Sequence, residues 1–274
     1  MTQEKFRALQ LVQAEIMDDI HRVCVKNNLK YYMIGGTALG AVRHKGFIPW
    51  DVDIDIAMPR EDYERFMEIA DDELDAKFEC HSYKTDKVFF SPHILVVLKD
   101  SSITFCNDEL NSQAIRFGIY VDILPLDQVP TDKRRRKSHA RQLKFINTIK
   151  YYKDSRVYSK NGWFTRILKR IIRGGLSVVS YYQLNVIQQK IATKYNSIPD
   201  TGEICSTLSH YKYEKLCMSK LIFGIPKLYD FEGRQYYGPE SIEDYLTRIF
   251  GDYMKLPPLS VQEELRNSII DAEW

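Results

Sequence analysis

Hydrophobic positions recur at intervals of three and four along the first 28 residues. Leu9, Val12, Ile16, Ile20 and Val23 share a face with charges between them, which predicts an amphipathic helix over residues 4–28, closed by Asn27-Asn28. The apolar run YYMI (31–34) predicts a short strand stopped by Gly35-Gly36, and TALGAVRHKG then reads as a short helix or turn. Pro49-Trp50 breaks the chain again. From Asp51 the period changes to two: acids stand at 51, 53 and 55, with Val52, Ile54 and Ile56 between them. DVDIDIAM (51–58) therefore predicts a strand with one acidic and one apolar face. Pro59 and the acids after it start a helix whose buried stripe is Tyr63, Phe66, Met67, Ile69 and Ala70.

HILVVLK (93–99) and GIYVDILPL (118–126) predict two further strands, both rich in β-branched residues. The chain after Pro130 reads as mainly helical, as do residues 183–195. From residue 221 the density of Gly, Pro and aromatics predicts irregular structure, relieved by a late helix over 240–254. This gives three parts: a core with an N-terminal helix at 1–130, a basic helical region at 131–200, and a C-terminal segment packing on the core at 201–274.

Composition adds little until charge is mapped. Apolar content of 44% and charged content of 28% are those of a globular chain long enough to bury a core. The 18 tyrosines suit polar-aromatic surfaces or half-buried packing. The five cysteines (Cys24, Cys80, Cys106, Cys205, Cys217) are scattered without a CxxC pair, against a disulfide framework or zinc site and for a reducing cytoplasm. No signal peptide and no membrane-spanning run is visible. The net charge of +2 hides a block: residues 133–173 hold 15 Lys or Arg and one acid, Asp154. Within it, Trp163, Phe164, Ile167, Leu168, Ile171 and Ile172 oppose Arg166, Lys169, Arg170 and Arg173 on a helical wheel. Such a helix over 161–173 suits a peripheral contact with an anionic membrane or a plain packed helix with a wet basic side. Its aromatics form a helical stripe, not a strand platform, which argues against nucleic acid.

The candidate chemistry gathers around Asp53 and Asp55. On a strand their side chains leave the same face, with Cα atoms ~6–7 Å apart. Carboxylates so close call for a cation, and hard oxygen donors suit Mg²⁺ or Mn²⁺. If YVDI pairs with 51–58, Asp122 joins them as a third ligand or as a base for an attacking hydroxyl. Gly35, Gly36 and Thr37 supply a turn and helix start at which backbone N–H groups can meet phosphate. Arg43 and Lys45, on the link to the acids, can neutralise phosphates; Arg43 can equally tie the loop down, and His44 reads as structural. Asp51 shares the acidic face, while Asp127 lies past the predicted strand end.

IGGTALGAVRHKGFIPWDVDIDIAMPREDYERF (34–66) resembles the signature of the LicD family, in the nucleotidyltransferase-fold superfamily. YVDILPLD (120–127), FEGRQYYGPESIEDYL (231–246) and FGDYMKLPP (250–258) resemble it too, as does Leu9-Gln10. The resemblance implies an α/β (α+β) fold: a nucleotidyltransferase-fold mixed sheet flanked by helices, with a basic helical insertion and a C-terminal extension. It implies metal-dependent transfer of a phospho-alcohol, phosphocholine foremost, from a CDP-linked donor to a glycan acceptor such as lipopolysaccharide or teichoic acid, releasing CMP. It matches Asp53 and Asp55 to the metal pair, Asp122 to the third acid, and Gly35, Gly36 and Thr37 to the phosphate loop. The family commonly has an acid where Val52 stands; on a strand, position 52 points away from 53 and 55.

Two other classes compete. One keeps the fold but transfers the nucleotide itself to a small molecule; the other is a non-catalytic nucleotide-binding protein, for which a clustered carboxylate set has no use. The acceptor can be lipid-linked, with the protein cytoplasmic or peripheral on the inner face of the membrane.

Overall fold

A computed structural model describes residues 1–105, 118–154, 174–176, 178–209 and 212–274. The 161–173 helix expected from sequence lies outside the described residues.

Helix α1 (Gln3–Lys26) starts where the Thr2 hydroxyl accepts from Lys5 N–H, and ends at Asn27, whose N–H bonds back to Val23. Asn28 follows in the left-handed region at φ 56°. Leu9, Ile16, Met17, Ile20 and Val23 are fully buried, each contributing about 2 kcal/mol of apolar transfer. They cover a mixed sheet of order β1-β2-β6-β4-β3. Its strands are β1 (Tyr32–Met33), β2 (Asp55–Pro59), β3 (Phe78–His81), β4 (Ile94–Leu98) and β6 (Tyr120–Gln128). β5 (Ser102–Phe105) lies outside this sheet. β2 and β6 run parallel and the other neighbours antiparallel. Helix α2 (Gly35–Arg43) joins β1 to the loop before β2, and α3 (Arg60–Glu73) follows β2 at once, its first turn carrying Glu61 and Asp62.

The basic stretch forms α4 (Lys133–Asp154), packed on α5 (Tyr181–Ala192), which Ser180 and Gln183 close with a capping box. Buried His139 ties them, its ring bonded to the Tyr213 hydroxyl and the Ile191 carbonyl at 2.7 Å each. The end of β6 pairs with β7 (Glu203–Cys205), and β7 with β8 (Met218–Ser219). The hairpin β9 (Lys227–Phe231) and β10 (Arg234–Gly238), then α6 (Ile242–Phe250), bring Phe231, Tyr236, Tyr245 and Leu246 into the main core. Helix α7 (Leu259–Arg266) and β11 (Ile269–Glu273) end the chain, β11 pairing with β5.

Four expectations change. Gly35-Gly36 does more than follow the end of β1 at Met33: it opens α2, with Gly35 at φ 54° and the first helical bond running from Ala38 N–H to the Ile34 carbonyl. The strand expected over 51–58 begins only at Asp55. In 51–54, amides of the buried Gln10 and Gln13 take the place of a partner strand: Gln10 donates to the Asp51 carbonyl at 3.0 Å and Gln13 to that of Val52 at 2.8 Å. The stretch expected to be irregular holds the β9–β10 hairpin, turned by Glu232-Gly233 with both φ positive, 55° and 72°. Such a two-residue turn matches the strand twist. Asp127 is inside β6, not beyond it.

Candidate functional site

Asp55 opens β2 and Asp122 sits in β6, where the parallel register sets them directly opposite one another. The Asp122 N–H bonds the Ile54 carbonyl at 2.9 Å, so the chain just before β2 is fastened to β6 as well. Asp53 projects from this fastened segment. Carboxylate oxygens of Asp53, Asp55 and Asp122 all lie within 4.8 Å of one another, and each residue is only partly exposed. Among the described residues no Lys or Arg pairs with Asp53 or Asp55. Burial first, and then the other acids, push both far above the usual carboxylate range. Burial raises Asp51 to about 6, against the Val52 N–H and Arg43. Burial and the three acids also raise the Tyr120 phenol. Three hard oxygen donors with uncompensated charge are the donor set a small divalent cation takes.

The glycines work by absence of a side chain. A Cβ on Gly36 would lie 2.4 Å from Asp51 Oδ2, and one on Gly35 3.2 Å from Asp55 Oδ2. Gly35-Gly36 thus lets α2 start in contact with the acids. The Gly35 N–H donates to the Tyr245 hydroxyl at 2.9 Å, and the Thr37 hydroxyl accepts from the Asp55 N–H at 2.8 Å. Both groups are therefore occupied within the protein, and Thr37 fixes the start of β2. The N–H groups of Gly36 and Thr37 precede the first helical bond.

The acids open into a cavity of ≈ 890 Å³. Arg43 lines it and is also tied down, donating to the Tyr253 carbonyl at 2.8 Å and to the His44 ring at 2.9 Å. Lys45 is exposed at φ 58° and does not line it. Val52 packs against the core and reaches the cavity edge. Asp127 stands apart: fully buried, it takes both arms of Arg60 at 2.7 and 2.6 Å, with Asn196 and Thr207 at 2.8 Å each. That is a structural ion pair.

One site residue was missed from sequence. His93 Nε2 lies 2.7 Å from Asp122 Oδ1, and its buried Nδ1 has no hydrogen-bond partner among the described residues. A lone histidine after a proline carries no signal in the sequence; only the β4–β6 pairing, Leu95 opposite Asp122, brings it to the acids. Tyr245, Phe250 and Tyr253 reach the cavity from the C-terminal part in the same way.

Comparison with known proteins agrees with this architecture. The family model for the LicD/FKTN/FKRP nucleotidyltransferase domain matches residues 28–172. A protein of Haemophilus influenzae named lipopolysaccharide cholinephosphotransferase LicD is 30% identical over 262 residues, 92% of each chain. Uncharacterised proteins of Rickettsia typhi and Rickettsia prowazekii are 49% and 52% identical over 63 and 56 residues, about a fifth of each chain. The extent of the family match and the full-length similarity establish that the chain belongs to the LicD family.

Proposed function

We propose that this protein transfers a phospho-alcohol, phosphocholine foremost, from a CDP-linked donor to a hydroxyl of a cell-surface glycan, with lipopolysaccharide the first acceptor to test. The observation that carries the reading is the convergence of Asp53, Asp55 and Asp122 beside the start of α2, in a chain similar along its length to a lipopolysaccharide cholinephosphotransferase. Asp53, Asp55 and Asp122 would hold a divalent cation, Mg²⁺ or Mn²⁺. When bound, that ion offsets the charge of the donor's two phosphates.

The chain's own groups do the rest. The Gly36 and Thr37 N–H groups meet a phosphate oxygen at the helix start, and Arg43 adds positive charge on the cavity wall. Aromatic faces of Trp50, Phe250 and Tyr253 line the cavity and suit a nucleobase or a trimethylammonium group. The acceptor oxygen attacks the phosphorus bearing the alcohol; a new P–O bond forms as the bond to CMP breaks, and CMP leaves with the bridging oxygen. Asp122, held by His93, takes the hydroxyl proton.

The test is incubation with CDP-choline, CDP-ribitol, CDP-ethanolamine and CDP-glycerol plus Mg²⁺ and lipopolysaccharide, scored by CMP release. The expected result is Mg²⁺-dependent CMP release in the wild type, reduced roughly 10³-fold or more in Asp53→Asn and Asp55→Asn with folding preserved. Full activity in either variant refutes the assignment. Pyrophosphate release from a nucleoside triphosphate would assign nucleotidyl transfer instead.

A further inference from the structure

A second cavity, also ≈ 890 Å³, lies between α4 and residues 206–209 and 212–216. Phe90, Pro92, Ser209 and Leu216 line both cavities, so the two share a wall. His93, which holds Asp122, follows directly on that wall.

The lining of this cavity is unlike that of a packing defect. Lys150 of α4 reaches it, and its ammonium donates to Asn185 Oδ1 at 2.5 Å and Gln188 Oε1 at 2.9 Å. Both amides are fully buried and anchored, Asn185 to the Phe89 carbonyl and Gln188 to Asn147, at 2.7 Å each. Among the described residues no carboxylate pairs with Lys150. Burial lowers its pKa to about 7, and no anion among the described residues offsets that cost to the cationic form. An ammonium has three donors and two are used. Lys144 and Lys212 add positive charge at the rim. The Ser206 hydroxyl, on the same lining, is buried without a hydrogen-bond partner among the described residues. Tyr151, 47% exposed, offers a ring face of the kind on which the C–H faces of sugars pack.

We propose that this second cavity is the acceptor site, and that it takes a glycan bearing an anionic substituent, a phosphate or carboxylate, near the hydroxyl to be modified. The inference rests on the transferase reading above and adds the acceptor's place and charge. In-line displacement brings the attacking oxygen to phosphorus opposite the leaving group. The first cavity surrounds the acids and accommodates the donor; a ligand in the second reaches Asp122 past Pro92 and His93. Lys150 then recognises the anion as a point charge held by neutral amides, which gives no wrong pairing to displace.

The experiment is calorimetric binding of two ligands, each alone, to wild-type protein and to Lys150→Gln. One ligand is deacylated lipopolysaccharide oligosaccharide, before and after phosphatase treatment; the other is CMP with Mg²⁺. The expected result is at least a tenfold loss of oligosaccharide affinity in Lys150→Gln, the same loss on phosphatase treatment of the ligand, and unchanged CMP affinity. Equal oligosaccharide binding by wild type and variant, or no binding to wild type, overturns the proposal. A fall in CMP affinity overturns it too, by giving the cavity to the donor. If Lys150→Gln does not fold, Tyr151→Ala at the exposed rim takes its place: it must weaken the oligosaccharide and spare CMP. None of these failures touches CMP release from CDP-choline, so the transferase reading stands or falls separately.

Discussion

Asp55 and Asp122 are direct register partners across the parallel β2–β6 pair. Neighbouring strands lie about 4.8 Å apart, and residues in register project to the same face. The sheet therefore imposes the approach of two carboxylates that would separate if free to do so. Asp53, on the segment fastened by the Asp122 N–H, completes the set. Backbone hydrogen bonds hold the acids together against their repulsion, as preorganised ion binding requires.

Gly36 and Gly40 separate a site effect from a fold effect on one helix. Alanine at 36 meets the Asp51 carboxylate, a side chain that can turn aside, whereas alanine at 40 meets the Gly46 backbone carbonyl at 2.4 Å. Gly40→Ala is expected to cost about 2–3 kcal/mol by overpacking, seen as a lower Tm. Gly36→Ala is expected to keep most of its Tm and lose activity, because the displaced Asp51 crowds the acids. Equal Tm losses in the two variants would remove the case for Gly36 as a site glycine.

The long amphipathic helix, the two central strands and the Asp53, Asp55 and Asp122 grouping were legible because each rests on a local period or one strand pairing. Three features were not. Alternation at 51–54 promised a strand, but Gln10 and Gln13, some 40 residues away, satisfy those carbonyls. The Glu232-Gly233 hairpin hid because glutamate rarely takes positive φ. Here its carboxylate accepts from the Phe47 N–H at 2.9 Å and pairs with Arg7, which holds the turn. His93 is recruited by strand pairing alone. In each case a long-range contact overrides or supplies what the local pattern lacks.

His93 is expected to act by orienting Asp122. The only hydrogen bond of its ring among the described residues is to that carboxylate, at 2.7 Å, beside the other acids. His93→Ala should lower kcat roughly 10- to 100-fold and weaken Mn²⁺ binding measured by electron paramagnetic resonance. His93→Gln, which can still donate to Asp122, should recover part of both. Loss of activity with Mn²⁺ affinity untouched would separate His93 from the acid cluster.

Asp127 provides the contrasting acid. It is fully buried and neutralises Arg60, which is itself only 11% exposed. Asp127→Asn leaves Arg60 without its counter-charge, at a cost of roughly 3 kcal/mol, or about 10 °C in Tm. Below the transition, kcat should match wild type, because Asp127 does not line the cavity. A fall in kcat comparable to that of Asp53→Asn, in folded protein, would return Asp127 to the site.

Cation binding and pH should be linked through the acids. Burial and mutual repulsion raise Asp53 and Asp55 in the folded chain, and Asp51 to about 6, above the unfolded value near 3.9. The folded, metal-free protein then holds more protons than the unfolded chain, so these groups subtract stability as pH rises above about 4. The loss from Asp51 is complete once pH passes about 6, and that from Asp53 and Asp55 continues above it. A divalent ion needs the ionised carboxylates, so its binding releases protons and strengthens over the same range. Calorimetric scans should show a larger Tm increase on adding Mg²⁺ at pH 8 than at pH 5.5. Asp53→Asn should abolish most of that increase while raising the metal-free Tm at pH 8, since one repelling charge is gone. A Mg²⁺ effect of equal size at both pH values would mean that these carboxylates are not the ligands.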